Sequence, residues 1–149
     1  VRDYSQRAAS AADLPVVVAL LEQAGLPTAD LVAGHLLLAI ETSAADEPAC
    51  GFIGLEHFSD HALLRSLIVD PAHRDAGLGS LLVEGLEQQA IAMGVVELWL
   101  LTIDAERWFS RHAYRVRERS AAPQSIQSSR EFASLCPGDA VLMSKRLSA

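Results

Sequence analysis

The stretch Leu67-Ile68-Val69-Asp70-Pro71-Ala72-His73-Arg74-Asp75-Ala76-Gly77-Leu78-Gly79-Ser80 constrains this chain more than any other. An apolar run ends at Val69, Asp70-Pro71 turns the chain, and a helix opens with two glycines in its first turn. The N–H groups at a helix start have no intrahelical partner and carry partial positive charge, so they hold anions. Glycines at alternate positions keep side chains off that backbone, and Arg74 adds a charge-assisted contact. A glycine-containing helix start that merely packs tightly is the plainer reading. The pattern lacks the Gly-Lys-Ser/Thr of a Walker loop and the third glycine of a dinucleotide fingerprint.

Around this segment the apolar periodicity predicts strands at Tyr4–Ala8, His35–Thr42, Cys50–Phe58, His61–Val69, Val95–Leu101, Tyr114–Arg119 and Ala140–Leu147. Ser10-x-x-Asp13 caps a first helix that carries Leu14, Val17, Val18 and Leu21 and ends at Gly25. Pro27 to Leu31 is a loop or short helix. Leu78, Leu82 and Leu86 mark a helix closed by Gly94. Asp104–His112 reads as a short helix, and a Pro123-led helical stretch reaches Cys136-Pro137. Ser59-Asp60 joins two strands as a hairpin. A meander feeding strand–helix–strand units predicts an α/β fold, a mixed, twisted central sheet of about six or seven strands with helices on both faces. No repeat, linker or low-complexity tract divides residues 1–149, so one domain is expected.

Charge narrows the partners. Nineteen acidic against twelve basic residues give a net charge of −7, which excludes a dedicated nucleic-acid binder. Mean hydropathy of +0.22 argues against disorder. The apolar runs Leu14–Leu21 and Val95–Leu101 are broken by Pro15 and Glu97, far short of the roughly 20 residues of a membrane helix. Cys50 and Cys136 are too few for a disulfide framework or a cysteine-built zinc site. No signal peptide is expected from these residues, and a cytoplasmic, reducing setting is expected.

Arg74-x-x-Gly77-x-Gly79 after Val69-Asp70-Pro71 resembles the coenzyme-A loop of the GNAT acyltransferase superfamily, and the element order fits that superfamily's fold over nearly the whole chain. The resemblance implies acetyl-CoA as cosubstrate, held by Leu67, Ile68, Val69, Arg74, Asp75, Ala76, Gly77, Leu78, Gly79 and Ser80. Loop amides would hold the pyrophosphate, and the backbone of Leu67–Val69 the pantetheine. CoA would enter where the strand ending at Val69 parts from the one ending at Leu101. The implied reaction is direct acetyl transfer to a primary amine, a strand N–H near Val69 polarising the thioester carbonyl. Many members carry Asn at the end of the next strand and Tyr on the following helix, four residues before a Gly-Phe pair. Thr102, Phe109 and Ala113-Tyr114 stand there, which puts Thr102 and Phe109 beside the cofactor. Phe109 has no proton to give a leaving thiolate.

The common family Glu, six residues ahead of the Val of Val-Asp-Pro, is Leu63 here. With a turn at Ser59-Asp60, Glu56 faces Leu63 across the hairpin and Arg65 lies diagonally on the same face. Three readings stand side by side: Glu56 as the base for an ammonium substrate, a cross-strand Glu56–Arg65 ion pair, and Arg65 gripping a substrate carboxylate. Leu64-Arg65-Ser66-Leu67, Leu101-Thr102 and Arg130-Glu131-Phe132-Ala133-Ser134-Leu135-Cys136-Pro137 resemble the arsenic-resistance type of GNAT N-acetyltransferase. Relatives of that kind acetylate toxic amino-acid analogues such as arsinothricin and phosphinothricin, which implies a small amino acid or such an analogue as acceptor.

The expected partner is therefore a small-molecule amine, with no nucleic acid and no membrane, and a homodimer left open. Rival readings are a non-catalytic CoA-binding sensor or interaction domain, and a nucleotide module using the same glycine loop. Arg115, Arg117 and Arg119 alternate and read as a solvated strand face, or as a contact for the CoA 3′-phosphate or an anionic substrate. The histidines at 35, 57, 61, 73 and 112 show no metal-ligand spacing, so no metal is expected. Trp99 and Trp108 are expected to pack on the sheet, and Cys136 to be a small apolar residue or a reactive thiol.

Overall fold

Each predicted apolar run becomes a strand. The computed structural model describes residues 3–26, 28, 31–44, 46–74, 76–129, 132 and 140–148. The strands are β1 (Tyr4–Ala8), β2 (Leu36–Thr42), β3 (Gly51–Phe58), β4 (His61–Val69), β5 (Glu97–Thr102), β6 (Arg115–Arg117) and β7 (Val141–Arg146). The helices are α1 (Leu14–Gln23), α2 (Leu78–Ala92), α3 (Glu106–Ser110) and α4 (Gln124–Gln127). The sheet is mixed, with strand order β1-β2-β3-β4-β5-β7-β6. β4 and β5 run parallel, while β1–β2, β2–β3, β5–β7 and β6–β7 are antiparallel. This is the expected α/β architecture.

The residues group into two compact units. The first holds the chain up to Leu55 together with Ser66–Gln88. Its core joins Val17, Leu20 and Leu21 of α1 to Leu36, Ala39, Phe52 and Ile68 of the strands. Burying a Leu, Val or Phe side chain is worth about 1.5–3 kcal/mol, so this apolar contact holds α1 on the sheet. α1 follows directly on a 3₁₀ turn over Ala11–Asp13, and the predicted Ser10–Asp13 box caps that turn, the Ser10 N–H donating to the Asp13 carboxylate at 2.9 Å. The helix ends with Gly25 at φ +74° and the Leu26 N–H on the Leu21 carbonyl, a Schellman turn. Arg7 of β1 grips Asp13 through two nitrogens, each at 2.8 Å, and reaches Glu41 of β2 at 3.1 Å. The hydrogen bond from Arg7 is the largest influence holding the Asp13 carboxyl below its ordinary range. Gly51 lets α2 approach closely, since a Cβ there would lie 3.3 Å from Leu82.

The second unit holds Glu56–Arg65 and the chain from Gln89 onward. Leu63, Trp99, Ala122, Ile126 and Leu142 form its core, with Phe58, Leu101 and Phe132 packed against it. The hairpin turn at Ser59-Asp60 is present, with Ser59 at φ +60°.

The strands expected from His35, from Cys50 and over Ala140–Leu147 are shorter by one residue at those ends, and the helix expected from Pro123 to Cys136 ends at Gln127, with Ser128 and Ser129 in a turn and a bend. Three further elements differ for local reasons. The strand expected from Val95 begins at Glu97, because the cap of α2 takes up the preceding residues: Gly94 sits at φ +87° and the Val95 N–H bonds the Ala90 carbonyl. The strand expected over Tyr114–Arg119 shrinks to Arg115–Arg117. Arg119 instead opens a 3₁₀ turn and donates to the Ala140 carbonyl at 3.1 Å. The helix expected over Asp104–His112 is Glu106–Ser110, since the Thr102 hydroxyl holds the Ala105 N–H in a turn. Pro27, within the expected loop or second helix, and Cys136-Pro137 lie outside the described residues.

Candidate cofactor-binding and active site

The glycine loop is built by a chain of local hydrogen bonds. β4 ends at Val69, and the Asp70 N–H donates to the Cys50 carbonyl at 2.7 Å, fastening the loop root beside β3. Asp70 then caps a 3₁₀ turn over Pro71–His73, its carboxylate accepting from the Ala72 N–H at 3.0 Å. Arg74 leaves that turn in an extended conformation and is exposed. Gly77 follows at φ +75°, a left-handed conformation that favours glycine, and a Cβ on it would meet nothing within 4 Å. α2 starts at Leu78, which is buried with Leu82 and Leu86, so the helix is held while its first turn stays at the surface. Ala76 is exposed, and Gly79 and Ser80 are half-buried. Asp75 lies outside the described residues.

The strand leading to the loop is irregular. Ser66 has φ +58°, an unusual value for a residue with a side chain and a mark of a bulge inside a strand. After it Leu67 and Val69 are half-buried and Ile68 is buried. The parallel ladder of β4 with β5 runs from His61↔Glu97 to Leu63↔Trp99 and stops there.

The Glu56–Arg65 pair expected across the hairpin forms, with Arg65 Nη1 donating to Glu56 Oε1 at 2.5 Å. The Arg65 side chain is 2% exposed and that of Glu56 15%, so the carboxylate keeps the more open side. A guanidinium bonded to one carboxylate oxygen orients the carboxylate and fixes the side from which a second cation can approach. The contact with Glu56 uses Arg65 Nη1, and with 2% of its side chain exposed Arg65 presents little of its guanidinium to solvent.

Thr102 and Phe109 are both buried. The Thr102 hydroxyl accepts from the Ala105 N–H at 3.0 Å and sets the exit of β5 toward α3. Phe109 meets Trp108 and Tyr114 edge-on, with centroids 4.9 and 5.5 Å away. Among the described residues no three His, Cys, Asp or Glu side chains gather as a metal site, and no helix is long and apolar enough to cross a membrane.

Sequence spacing missed a second polar cluster. Arg117 donates to Ser144 at 2.9 Å and to Glu97 at 3.4 Å, and its guanidinium lies 4.9 Å from the Trp99 ring centroid. The alternating arginines therefore do not make one solvated face. Arg115 is exposed, whereas Arg117 and Arg119 are tied inward. Their partners come from strands far along the chain, so no local signal announced them. Trp99 is buried as expected, with its indole N–H 3.4 Å from His61 Nδ1.

The sequence model of the acetyltransferase (GNAT) family matches residues 15–117. Among curated proteins, the amino-acid acetyltransferase of Shewanella oneidensis is 38% identical over 58 residues, 39% of this chain and 13% of that protein. N-acetylglutamate synthase from Neisseria gonorrhoeae, solved with coenzyme A and L-arginine, superposes with a TM-score of 0.81 at 20% identity. That superposition takes in 98% of this chain, which spans 34% of the synthase chain. The ribosomal-protein-S18-alanine N-acetyltransferase from Escherichia coli gives 0.74 at 19% identity, covering 99% of this chain and 96% of its own. At such identities the solved structures share the fold. The family match over residues 15–117, meeting a glycine loop of the geometry above, establishes that the chain belongs to the GNAT acetyltransferase family.

Proposed function

We propose that this chain transfers the acetyl group of acetyl-CoA to the primary amine of a small amino acid or toxic amino-acid analogue. The observation that carries the reading is the loop from Asp70 to Ser80, where Gly77 leaves open the space its Cβ would fill at the start of a buried-faced helix. Those residues fit a pyrophosphate. First-turn amides of α2 and the exposed Arg74 would bind it, and the backbone of Leu67–Val69 would hold the pantetheine. When bound, acetyl-CoA supplies the acetyl group as an activated thioester. The sequence resemblance adds Asp75, Thr102 and Phe109 to the proposed cofactor surroundings.

On the acceptor side, Glu56 takes the ammonium proton at a carboxylate oxygen, directly or through one water. Arg65 keeps that carboxylate in place, a positioning role consistent with its burial. The amino-acid acceptor is supported by the Shewanella relative and by the arsenic-resistance-type segments, and the cytoplasm is the proposed setting.

A thermal-shift comparison of acetyl-CoA, CoA, ATP and NAD, followed by an amine panel scored by thiol release, tests this reading. Stabilisation by the two CoA compounds with release on amino acids supports it. Stabilisation by ATP or NAD but not CoA overturns it. A second reading, a CoA-binding sensor without turnover, is favoured by Phe109 and Leu63 standing where many relatives carry an ionisable side chain. Acetyl-CoA binding with no thiol release across the amine panel would select it.

A further inference from the structure

Tyr4 opens the edge strand β1, and His73 closes the 3₁₀ turn immediately before Arg74. The Tyr4 hydroxyl lies 3.1 Å from His73 Nδ1, and the two rings meet edge to face with centroids 5.9 Å apart. The contact bridges 69 residues of sequence, so it reflects the fold rather than local chain geometry. It lands on the last residue of the turn, while the root of that turn is held by the Asp70 N–H on the Cys50 carbonyl. The turn is thus fastened at both ends, and Arg74 is the first residue beyond the second fastening.

We infer that Tyr4 is a positioning residue for acetyl-CoA binding, acting through His73 to fix the point from which Arg74 reaches the cofactor's pyrophosphate. The inference rests on the reading of the glycine loop as the acetyl-CoA site. An arginine on an unfastened turn must be ordered when the anion arrives, and that cost appears as weaker binding. Tyr4 touches neither the thioester nor the amine in this scheme. Its loss therefore raises KM for acetyl-CoA and leaves kcat nearly untouched, the signature of lost uniform binding.

The test is a set of variants in the full chain, each checked for folding by its thermal transition and assayed for thiol release and for acetyl-CoA affinity by calorimetry. Tyr4→Phe keeps the ring contact and removes the hydroxyl. The expected result is a rise in acetyl-CoA KM and Kd of about 3–10-fold, the scale of one net hydrogen bond. In an Arg74→Ala background the same change has little further effect, because the group it positions is gone. His73→Gln reproduces the loss. His73→Asn, whose amide can stand where Nδ1 stands, restores most of the affinity. Unchanged KM in folded Tyr4→Phe, or an equal penalty with and without Arg74, overturns the inference while leaving the loop assignment intact. Failure of the unaltered chain to bind acetyl-CoA overturns the loop assignment and this inference with it.

Discussion

Arg65 donates to Glu56 across the β3–β4 hairpin at 2.5 Å, with the arginine side chain 2% exposed and the carboxylate 15%. Two charges withdrawn from water this far depend on each other. Glu56→Ala leaves a buried guanidinium without that partner and is expected to cost about 3–5 kcal/mol by chemical denaturation. The double change Glu56→Leu with Arg65→Met removes both charges and should recover most of that stability. Acetyl transfer should remain lost in the double variant, which separates holding the hairpin from receiving the amine. Full activity in the folded double variant would remove Glu56 from the chemistry.

Gly77 separates the cofactor from the fold in the same manner. At φ +75° a side chain is strained, roughly 1–2 kcal/mol for Ala and more for Val, but it meets no protein atom within 4 Å. Gly77→Val is therefore expected to fold with a lowered melting temperature and to lose acetyl-CoA binding by calorimetry. Near-normal affinity in the folded variant would show that the pyrophosphate lies elsewhere.

The Arg7–Asp13 pair sets an acid limit on stability. Asp13 has a folded-state pKa below its ordinary 3.8, so its contribution is complete above that value and fades as pH falls through the lower folded-state value. The stability difference between the unaltered chain and Asp13→Asn should be constant from about pH 5 to 8 and shrink below about pH 4. A difference that grew on acidification would contradict the pairing.

Arg117 offers a control far from the glycine loop in sequence. Arg117→Ala leaves Glu97, 9% exposed at its side chain, without that cation and uncovers the Trp99 face. The expected loss is about 2–4 kcal/mol, with changed tryptophan emission and unaltered acetyl-CoA KM in the folded protein. A changed KM would tie this cluster to catalysis.

The parts legible in the sequence are those whose cause is local. Tyr4–Ala8 and His61–Val69 are strands to the residue, the second because the turn residues Ser59-Asp60 and Asp70-Pro71 bound it on both sides. Ser10 with Asp13, and the left-handed Gly25, Gly77 and Gly94, act at helix ends as their residue types require. The Glu56–Arg65 pair was legible because one short turn fixed its register. Hidden from sequence were contacts made by topology: Arg117 on Ser144 and Glu97, Arg119 on the Ala140 carbonyl, and Tyr4 on His73. Nothing near Arg117 distinguishes it from the exposed Arg115. The difference arises only in the sheet, where Ser144 of β7 stands opposite Arg115 in register but takes a hydrogen bond from the Arg117 side chain reaching across diagonally.

The left-handed Ser66 also changes how substitutions along β4 are to be interpreted. Counting by twos assigns Arg65, Leu67 and Val69 to one side of a strand, but an inserted bulge residue resets that parity. The strand has two frames, one ending at Arg65 and serving the hairpin pair, the other beginning at Leu67 and running into the glycine loop proposed to hold the cofactor. Polar replacements tolerated in one frame carry no information about the other. Deleting Ser66 would join the frames with Leu67 still opposite in face to Arg65, so the later side chains keep their sides, whereas deleting a residue on either side of the bulge would turn the side chains beyond it over.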